Sequence, residues 1–350
     1  MNASRHITIA LDAMGGDHAP ASVLEGAAQA RLRYPNVKFI AYGDETKLKP
    51  ILDRLPALKD ACNIHHTAVA ITNDEKPSAA LRKGKDSSMG LAIRAVGDKV
   101  ADGAVSAGNT GALMAISKFT LRTLEGIDRP AMGSLFPTMH SECVILDLGA
   151  NVECDASNLF QFAVMGDAFA RAVLGRENPR VGLLNIGSED MKGRDEVKEA
   201  AQMLRNVGEY IRFTGYVEGN NIGKGEVDVI VADGFSGNIA LKTAEGTAKI
   251  CAHFLSQAYR SSWMAMLGYL FAKPALSTLY KKIDPRQHNG AMFLGLNGIV
   301  VKSHGGADAF SFFNAIDMAV EMIAHNVNEK IIEEIKNSRH LIDKAEPNAA

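Results

Sequence analysis

Unbroken apolar runs alternate along the chain with stretches in which apolar residues recur at three- and four-residue spacing. The first pattern is that of strands covered on both faces, the second that of amphipathic helices. Strands are predicted at ITIALD from Ile7, VKFIAYG from Val37, GAVSAG from Gly103, CVILDLG from Cys143, VGLLNIG from Val181, YIRFTG from Tyr210 and VDVIVADG from Val227; VKSHGGAD from Val301 ends a further one. Several are separated by one helix and two loops, the spacing of right-handed βαβ crossovers. The pattern predicts an α/β fold with a mostly parallel sheet. No Pro/Ser-rich linker or internal repeat divides the chain, so residues 1–340 read as one α/β domain, and the polar KAEPNAA from Lys344 predicts a frayed tail over 341–350.

One segment departs from this pattern. From Ile239 to Ser262 apolar residues fall near helical spacing, and WMAMLGYLFAKPAL, Trp263 to Leu276, follows as a dense apolar run interrupted by Gly268, Lys273 and Pro274. It is shorter than the ~18–20 residues that span a bilayer. A helical hairpin over about 239–283 is predicted. One reading buries it in a dimer interface. The other seats an exposed tip bearing Trp263, Leu267 and Leu270 in a membrane interface, with Arg260, Lys273, Lys281 and Lys282 nearby. The two readings are compatible.

LDAMGGDHAP, residues 11–20, packs two aspartates and two glycines between a strand and a helix. Gly15 and Gly16 supply positive φ, and Asp17 or His18 starts the helix, or the turn lines a ligand site at the carboxyl end of the sheet. Three further turns share its character: SAGNTGA from Ser106, NIGSEDMKGRDE from Asn185 and ADGFSGNIA from Ala232. Each runs from a strand through Ser, Thr or Asn into a helix, which aims backbone N–H groups at one spot and suits an anion. Ordinary loops with N-caps explain any one of them; four together predict a site. Cations stand close by. RKGKDSSM puts Arg82, Lys83 and Lys85 before a helix that begins near Ser87, Lys192 lies inside a glycine turn, and Lys302 and His304 follow a strand.

Composition narrows the function. At 350 residues, with 47% hydrophobic and 22% charged, the chain is an ordinary globular protein, and a net charge of -2 offers no field for nucleic acid. The four cysteines, Cys62, Cys143, Cys154 and Cys251, have no CxxC spacing, so they read as small buried hydrophobes in a reducing cytoplasm. No secretory signal pattern opens the sequence. No dinucleotide fingerprint, P-loop or GxSxG elbow is present, and His65 and His66, being adjacent, make poor co-ligands for a metal. No cofactor and no metal are expected.

In order, DAMGGD, KDSSM, SAGNTGALMA, LDLGAN, LLNIGSEDMKGRDEVKEA, VEGNNI, VADGFSGNIALKTAEG and LGLNGIVVKSHGGAD resemble the bacterial acyl-acyl carrier protein:phosphate acyltransferases of phospholipid synthesis, from about Ile7 to Ile335. The resemblance implies a homodimeric, Rossmann-like doubly wound α/β fold, similar to phosphotransacetylases and isopropylmalate-type dehydrogenases, in a cytoplasmic protein associated with the membrane surface. It implies reversible transfer of a long-chain acyl group from acyl carrier protein to inorganic phosphate, giving acyl phosphate for a glycerol-3-phosphate acyltransferase. Lys192 is the implied neutraliser of phosphate and oxyanion charge, and Asn238 the implied oxyanion donor. Asp12, Gly15, Gly16, Ser106, Gly108, Asn109, Thr110, Asn151, Asp233, Ser236, Lys302 and His304 are expected to bind substrate or phosphate. Arg82, Lys83 and Lys85 are expected to meet the acidic carrier protein. Three alternatives remain: transfer from acyl-CoA, a hydroxyacid dehydrogenase on the related fold, or a non-catalytic membrane scaffold.

Overall fold

The predicted apolar runs pair into one sheet. The structure, a computed structural model, describes residues 6–284 and 286–345, side chains at 77, 280–283 and 339–345 excepted. Its strands are β1 (Ile7–Asp12), β2 (Val37–Gly43), β3 (Cys62–His66), β4 (Gly103–Ser106), β5 (Ala131–Pro137), β6 (Glu142–Leu146), β7 (Val181–Leu184), β8 (Phe213–Val217), β9 (Val229–Val231), β10 (Ala291–Leu294) and β11 (Ile299–Lys302). The helices are α1 (Ala21–Arg33), α2 (Glu45–Leu52), α3 (Pro77–Lys83), α4 (Ser88–Gly97), α5 (Thr110–Leu121), α6 (Ala156–Val173), α7 (Asp195–Asn206), α8 (Gly234–Arg260), α9 (Trp263–Ile283), α10 (Ala309–Ala324) and α11 (Val327–Ala345). The strand order is β3-β2-β1-β4-β11-β10-β5-β6-β9-β7-β8.

Seven of the neighbouring strand pairs are parallel, as the apolar runs predict. Three at the centre are antiparallel: β11 with β10, β10 with β5, and β5 with β6. An odd number of reversals leaves β6, β9, β7 and β8 running opposite to β3, β2, β1, β4 and β11. The two groups run in opposite directions, yet the register places Leu11, Val105, Val301, Met292, Gly133, Leu146, Val231 and Leu183 on one row, so the carboxyl ends of both groups meet at the middle of the sheet. β5 and β10 have no counterpart among the predicted strands, because AMGSLFP mixes Gly, Ser and Pro into its apolar pattern and AMFL is too short to carry a period.

Helices cover both faces. On one, α1 and α10 pack together over β1 and β11, and α6 packs on α7, α11 and β9. On the other, α4 and α5 bury Met89, Ile93, Leu113 and Ile116 against β1 and β4. The first residues of α8 lay Ala240 and Leu241 on Cys143, Ile145 and Leu148, so this helix runs back across the face of β6. Beyond that root, α8 and α9 form the predicted hairpin, which begins at Gly234 rather than near 239. Pro274 sits inside α9 without ending it. The side chains of Lys281 and Lys282 lie outside the described residues, as do residues 346–350, whereas α11 continues to Ala345.

Two local expectations are corrected. α1 begins at Ala21 behind Pro20 with no side-chain cap, and Asp17 instead accepts a hydrogen bond from Asn73 Nδ2 at 2.9 Å. Cys62, Cys143 and Cys154 are buried, with burial pushing the first two thiols up to about 12, but Cys251 is exposed on α8.

Phe162 is fully buried in the core on α6, the helix that packs against β9. Phe162→Ala is expected to lower the free energy of unfolding by about 3–5 kcal/mol, measured by urea titration, from lost burial and the cavity left behind.

Candidate active site

β1, β4 and β11 are parallel neighbours, so the loops after them leave one end of the sheet together. Ser303 N–H donates to Ser106 O and Asp17 N–H to Gly305 O, each at 2.8 Å, which ties the three loops into one unit. Asp12 lies buried at its centre. Its Oδ2 accepts the Ser106 hydroxyl at 2.6 Å, Ser106 Oγ accepts Gly108 N–H at 3.0 Å, and Asp12 Oδ1 makes no hydrogen bond. Burial raises this carboxyl above its ordinary range, while Ser106, Ser88, the Met14 amide and the Lys302 charge oppose the rise.

The glycines here serve close approach. A Cβ at Gly15 would overlap Asp12 Oδ2 and stand 2.8 Å from Gly108 N. Only Gly16 takes positive φ, at +105°, against Ala107 and Gly305. Asn109 caps α5 by accepting Ala112 N–H at 2.9 Å, and its amide donates to Asn73 O at 2.8 Å and Glu75 O at 3.1 Å. Thr110 opens α5 and is exposed.

Lys302 is only 8% exposed and donates to Ser303 O. Its burial pulls the amine down to about 8, against the pull of Asp12 and Asp17. His304 is held by its backbone N–H, which donates to Asn289 Oδ1 at 3.0 Å, and its Nδ1 accepts Gly306 N–H at 3.1 Å. Burial and the cations Lys242 and Lys302 keep His304 below the usual histidine range, so near pH 7 its imidazole is neutral with the proton on Nε2.

A second group forms where β6, β9 and β7 end. Asp147, fully buried, accepts Met132 N–H at 2.9 Å, Ala150 N–H at 3.1 Å, Asn151 N–H at 2.6 Å and Asn151 Nδ2 at 2.9 Å. Asn151 O accepts Gly234 N–H at 2.7 Å, which anchors the start of α8. Asp233 is the N-cap, accepting Ser236 N–H at 2.7 Å and the Ser236 hydroxyl at 3.2 Å, and it pairs with Arg194. Asn238, in the first turns of α8, is exposed, and its Nδ2 lies against Gly149. Lys192 is half exposed and pairs with Glu189 at 2.8 Å, and that contact raises its pKa.

The glycine turns therefore approach one row of the sheet from two strand groups of opposite direction. Asp12, Gly15, Gly16, Ser106, Gly108, Asn109, Lys302 and His304 follow β1, β4 and β11; Lys192, Asn151, Asp233, Ser236 and Asn238 follow β7, β6 and β9, which end at the same row of the sheet. The side chains of Asn109, Asn151 and Asp233 are spent on caps and loop anchors. α8 joins the groups, because Lys242, one turn beyond Asn238, bears on Lys302 and His304, and Lys249 bears on His304. Asn238 and Lys249 lie about 16 Å apart along the helix axis. Arg82, Lys83 and Lys85 are exposed beside the first group, with Lys83 paired to Glu75 at 3.1 Å.

Sequence reasoning missed Asp147, Arg194, Lys242 and Asn289. Asp147 lies in the predicted strand segment CVILDLG and Arg194 in the turn NIGSEDMKGRDE, but Lys242 lies mid-helix with no local signal. Asn289, whose amide also donates to Ser303 Oγ and Ser311 O at 2.7 Å each, acts through loop contacts that only folding creates.

The family model described as "Fatty acid synthesis protein" matches residues 7–330. The "Phosphate acyltransferase" of Paramagnetospirillum magneticum is 56% identical over 331 residues, covering 95% of this chain and 94% of that protein. That of Rhodospirillum centenum is 56% identical over 342 residues, covering 98% and 96%. Among solved structures, a phosphotransacetylase from Streptococcus pyogenes superimposes with a TM-score of 0.64 at 17% identity, covering 92% of this chain and 95% of that one. A branched-chain phosphotransacylase from Enterococcus faecalis gives 0.57 at 12%, covering 91% and 99%. These low-identity likenesses confirm the mostly parallel α/β fold, and the sequence matches place its chemistry: this chain belongs to the fatty acid synthesis protein family, among its phosphate acyltransferases.

Proposed function

We propose that the protein transfers a long-chain acyl group from acyl carrier protein to inorganic phosphate. The observation that carries this reading is the root of α8, where a capped helix N-terminus, the exposed Asn238 amide and the loop bearing Lys192 and Arg194 gather around the ends of β6, β7 and β9. A helix N-terminus and fixed donors favour negative charge there. Phosphate at neutral pH is already an anionic nucleophile. Its oxygen attacks the thioester carbonyl, the C–S bond breaks as the tetrahedral oxyanion collapses, and the proton of hydrogen phosphate passes to the departing thiolate. In this reading Lys192 leaves Glu189 for the phosphate, Asn238 donates to the oxyanion, and the protein holds the two reactants in line.

The remaining substrate contacts come from the group around Asp12, Lys302 and His304. Arg82, Lys83 and Lys85 supply a basic surface for the acidic carrier protein. The hairpin completes the picture. Trp263 is 72% and Phe271 83% exposed, Leu267 and Leu270 lie open between them, and Ile250 and Phe254 are exposed on α8. We assign the stems to contact with a second copy and the tip to the inner face of the cell membrane, where acyl phosphate reaches a glycerol-3-phosphate acyltransferase. No helix among the described residues is long and apolar enough to cross a membrane, so the attachment is interfacial.

Purified protein given palmitoyl-acyl carrier protein is expected to release thiol only with inorganic phosphate, and hydroxylamine is expected to trap the acyl phosphate. Lys192→Ala and Asn238→Ala should each lower the turnover by about 10²–10³-fold. Release with palmitoyl-CoA alone would move the protein to a CoA donor, and release with neither donor would sink the reading. Replacing Trp263, Leu267 and Leu270 together by Glu should abolish sedimentation with anionic liposomes while leaving thiol release in solution within about twofold; unchanged sedimentation would refute the membrane role of the tip.

A further inference from the structure

Five large apolar side chains stand in the open around the root of α8: Val152, Ile186, Met191, Phe235 and Ile239, each more than half exposed. They sit on three segments that are bonded to one another. Asn151, next to Val152, accepts Gly234 N–H at 2.7 Å through its carbonyl, and Arg194 pairs with Asp233, so the loops after β6 and β7 are both tied to the start of α8. The β7 loop is closed on its own backbone. Asn185 Nδ2 donates to Gly187 O at 3.1 Å and to Lys192 O at 3.0 Å, and Ile186 and Met191 stay outside the closure. Gly193, at φ +95°, completes that turn, where a Cβ would overlap Asn185 Oδ1. Phe235 and Ile239 are neighbours four residues apart on α8, and Asn238, three residues after Phe235, lies on their side of the helix.

Exposed apolar residues scattered singly are ordinary, but several on joined segments mark a surface that takes an apolar partner. The place of this surface says which partner. Lys192 follows Met191 in the β7 loop, and Asn238 precedes Ile239 on α8. These are the groups assigned to the phosphate and to the thioester carbonyl. The acyl chain is bonded to that carbonyl, so its methylenes run over the side chains beside Asn238. We propose that Val152, Ile186, Met191, Phe235 and Ile239 form the surface that receives the acyl chain and selects long chains over short ones. The inference rests on the acyltransfer reading, whose substrate carries an alkyl chain on the carbonyl that Asn238 holds. Apolar walls around a few fixed polar groups are the make-up of a small-molecule site. Each methylene removed from water strengthens binding by about fourfold, so a surface that covers several of them separates a long chain from a short one.

The test is the chain-length dependence of transfer. In the native protein kcat/KM for palmitoyl-acyl carrier protein should exceed that for butyryl-acyl carrier protein. Phe235→Gln combined with Ile239→Gln should lower the ratio of the two by about 10–100-fold, the loss of one apolar side chain's worth of burial, and leave KM for phosphate within about twofold. Both positions are exposed on a helix, where glutamine is well accommodated. If this variant does not fold, as judged by thermal unfolding, Ile186→Gln combined with Met191→Gln in the β7 loop should lower the ratio in its place. A ratio that stays in place overturns the acyl surface and leaves the acyltransfer reading standing. That holds where both chains lose transfer alike, the mark of general damage at the root of α8, and where light scattering shows a change of oligomeric mass, the mark of a contact with a second copy.

Where the native protein transfers an acyl group from neither donor, the acyltransfer reading falls, and binding of the fluorescent fatty acid parinarate decides the surface by itself. The titration uses protein carrying Trp263→Glu, Leu267→Glu and Leu270→Glu, so that the hairpin tip does not compete for the probe. Saturable binding that is lost when Phe235→Gln and Ile239→Gln are added keeps the surface as a site for an alkyl chain. Binding that persists with those substitutions, or no saturable binding at all, overturns it.

Discussion

The three antiparallel pairings at the centre of the sheet govern where everything else lies. β10 and β5 reverse the chain direction between β11 and β6, and their register brings the carboxyl ends of both parallel groups to one row of the sheet from opposite directions. In an open parallel sheet, loops after the strands gather on one side and ligands bind there. Here two sets of loops reach one row from opposite directions, and one element runs between them.

α8 is that element. Its start is fixed by Asp233, Asn151 and the buried Asp147, its next turn packs Ala240 and Leu241 on β6, and Lys242 and Lys249 then reach the neighbourhood of Lys302 and His304. The remainder of the helix leaves the domain with α9 as an apolar hairpin. One helix thus carries a capped N-terminus, lysines in its middle turns and exposed apolar residues Ile250 and Phe254 toward its end.

Charge is buried at both sites, and burying charge costs stability unless it is paired and hydrogen-bonded. Asp147 recovers that cost through four hydrogen bonds that shape the loop before α6, a structural use. Asp12 recovers only part of it: one oxygen holds Ser106 and the other is left without a hydrogen bond, beside a lysine whose own burial pulls it toward neutrality. Incomplete satisfaction of a buried group is the kind of cost a fold sustains where a ligand or a proton is handled.

The α/β class, the strands whose apolar runs are continuous, the helical hairpin and the glycine turns between strand and helix were legible in the sequence, because burial on two faces and tight turns leave local marks. Its family was legible for the same reason: DAMGGD, SAGNTGALMA and VADGFSGN are words written within single loops. Only the folded sheet shows that these turns meet at one row from two strand groups of opposite direction. β5 and β10 are short or mixed in composition and carry no period, yet they reverse the sheet. Asp147 and Asn289 act through hydrogen bonds to residues brought near only by folding, and Lys242 is an ordinary lysine until α8 crosses β6. Local chemistry fixes what a segment is, whereas strand direction and long-range pairing fix what it faces.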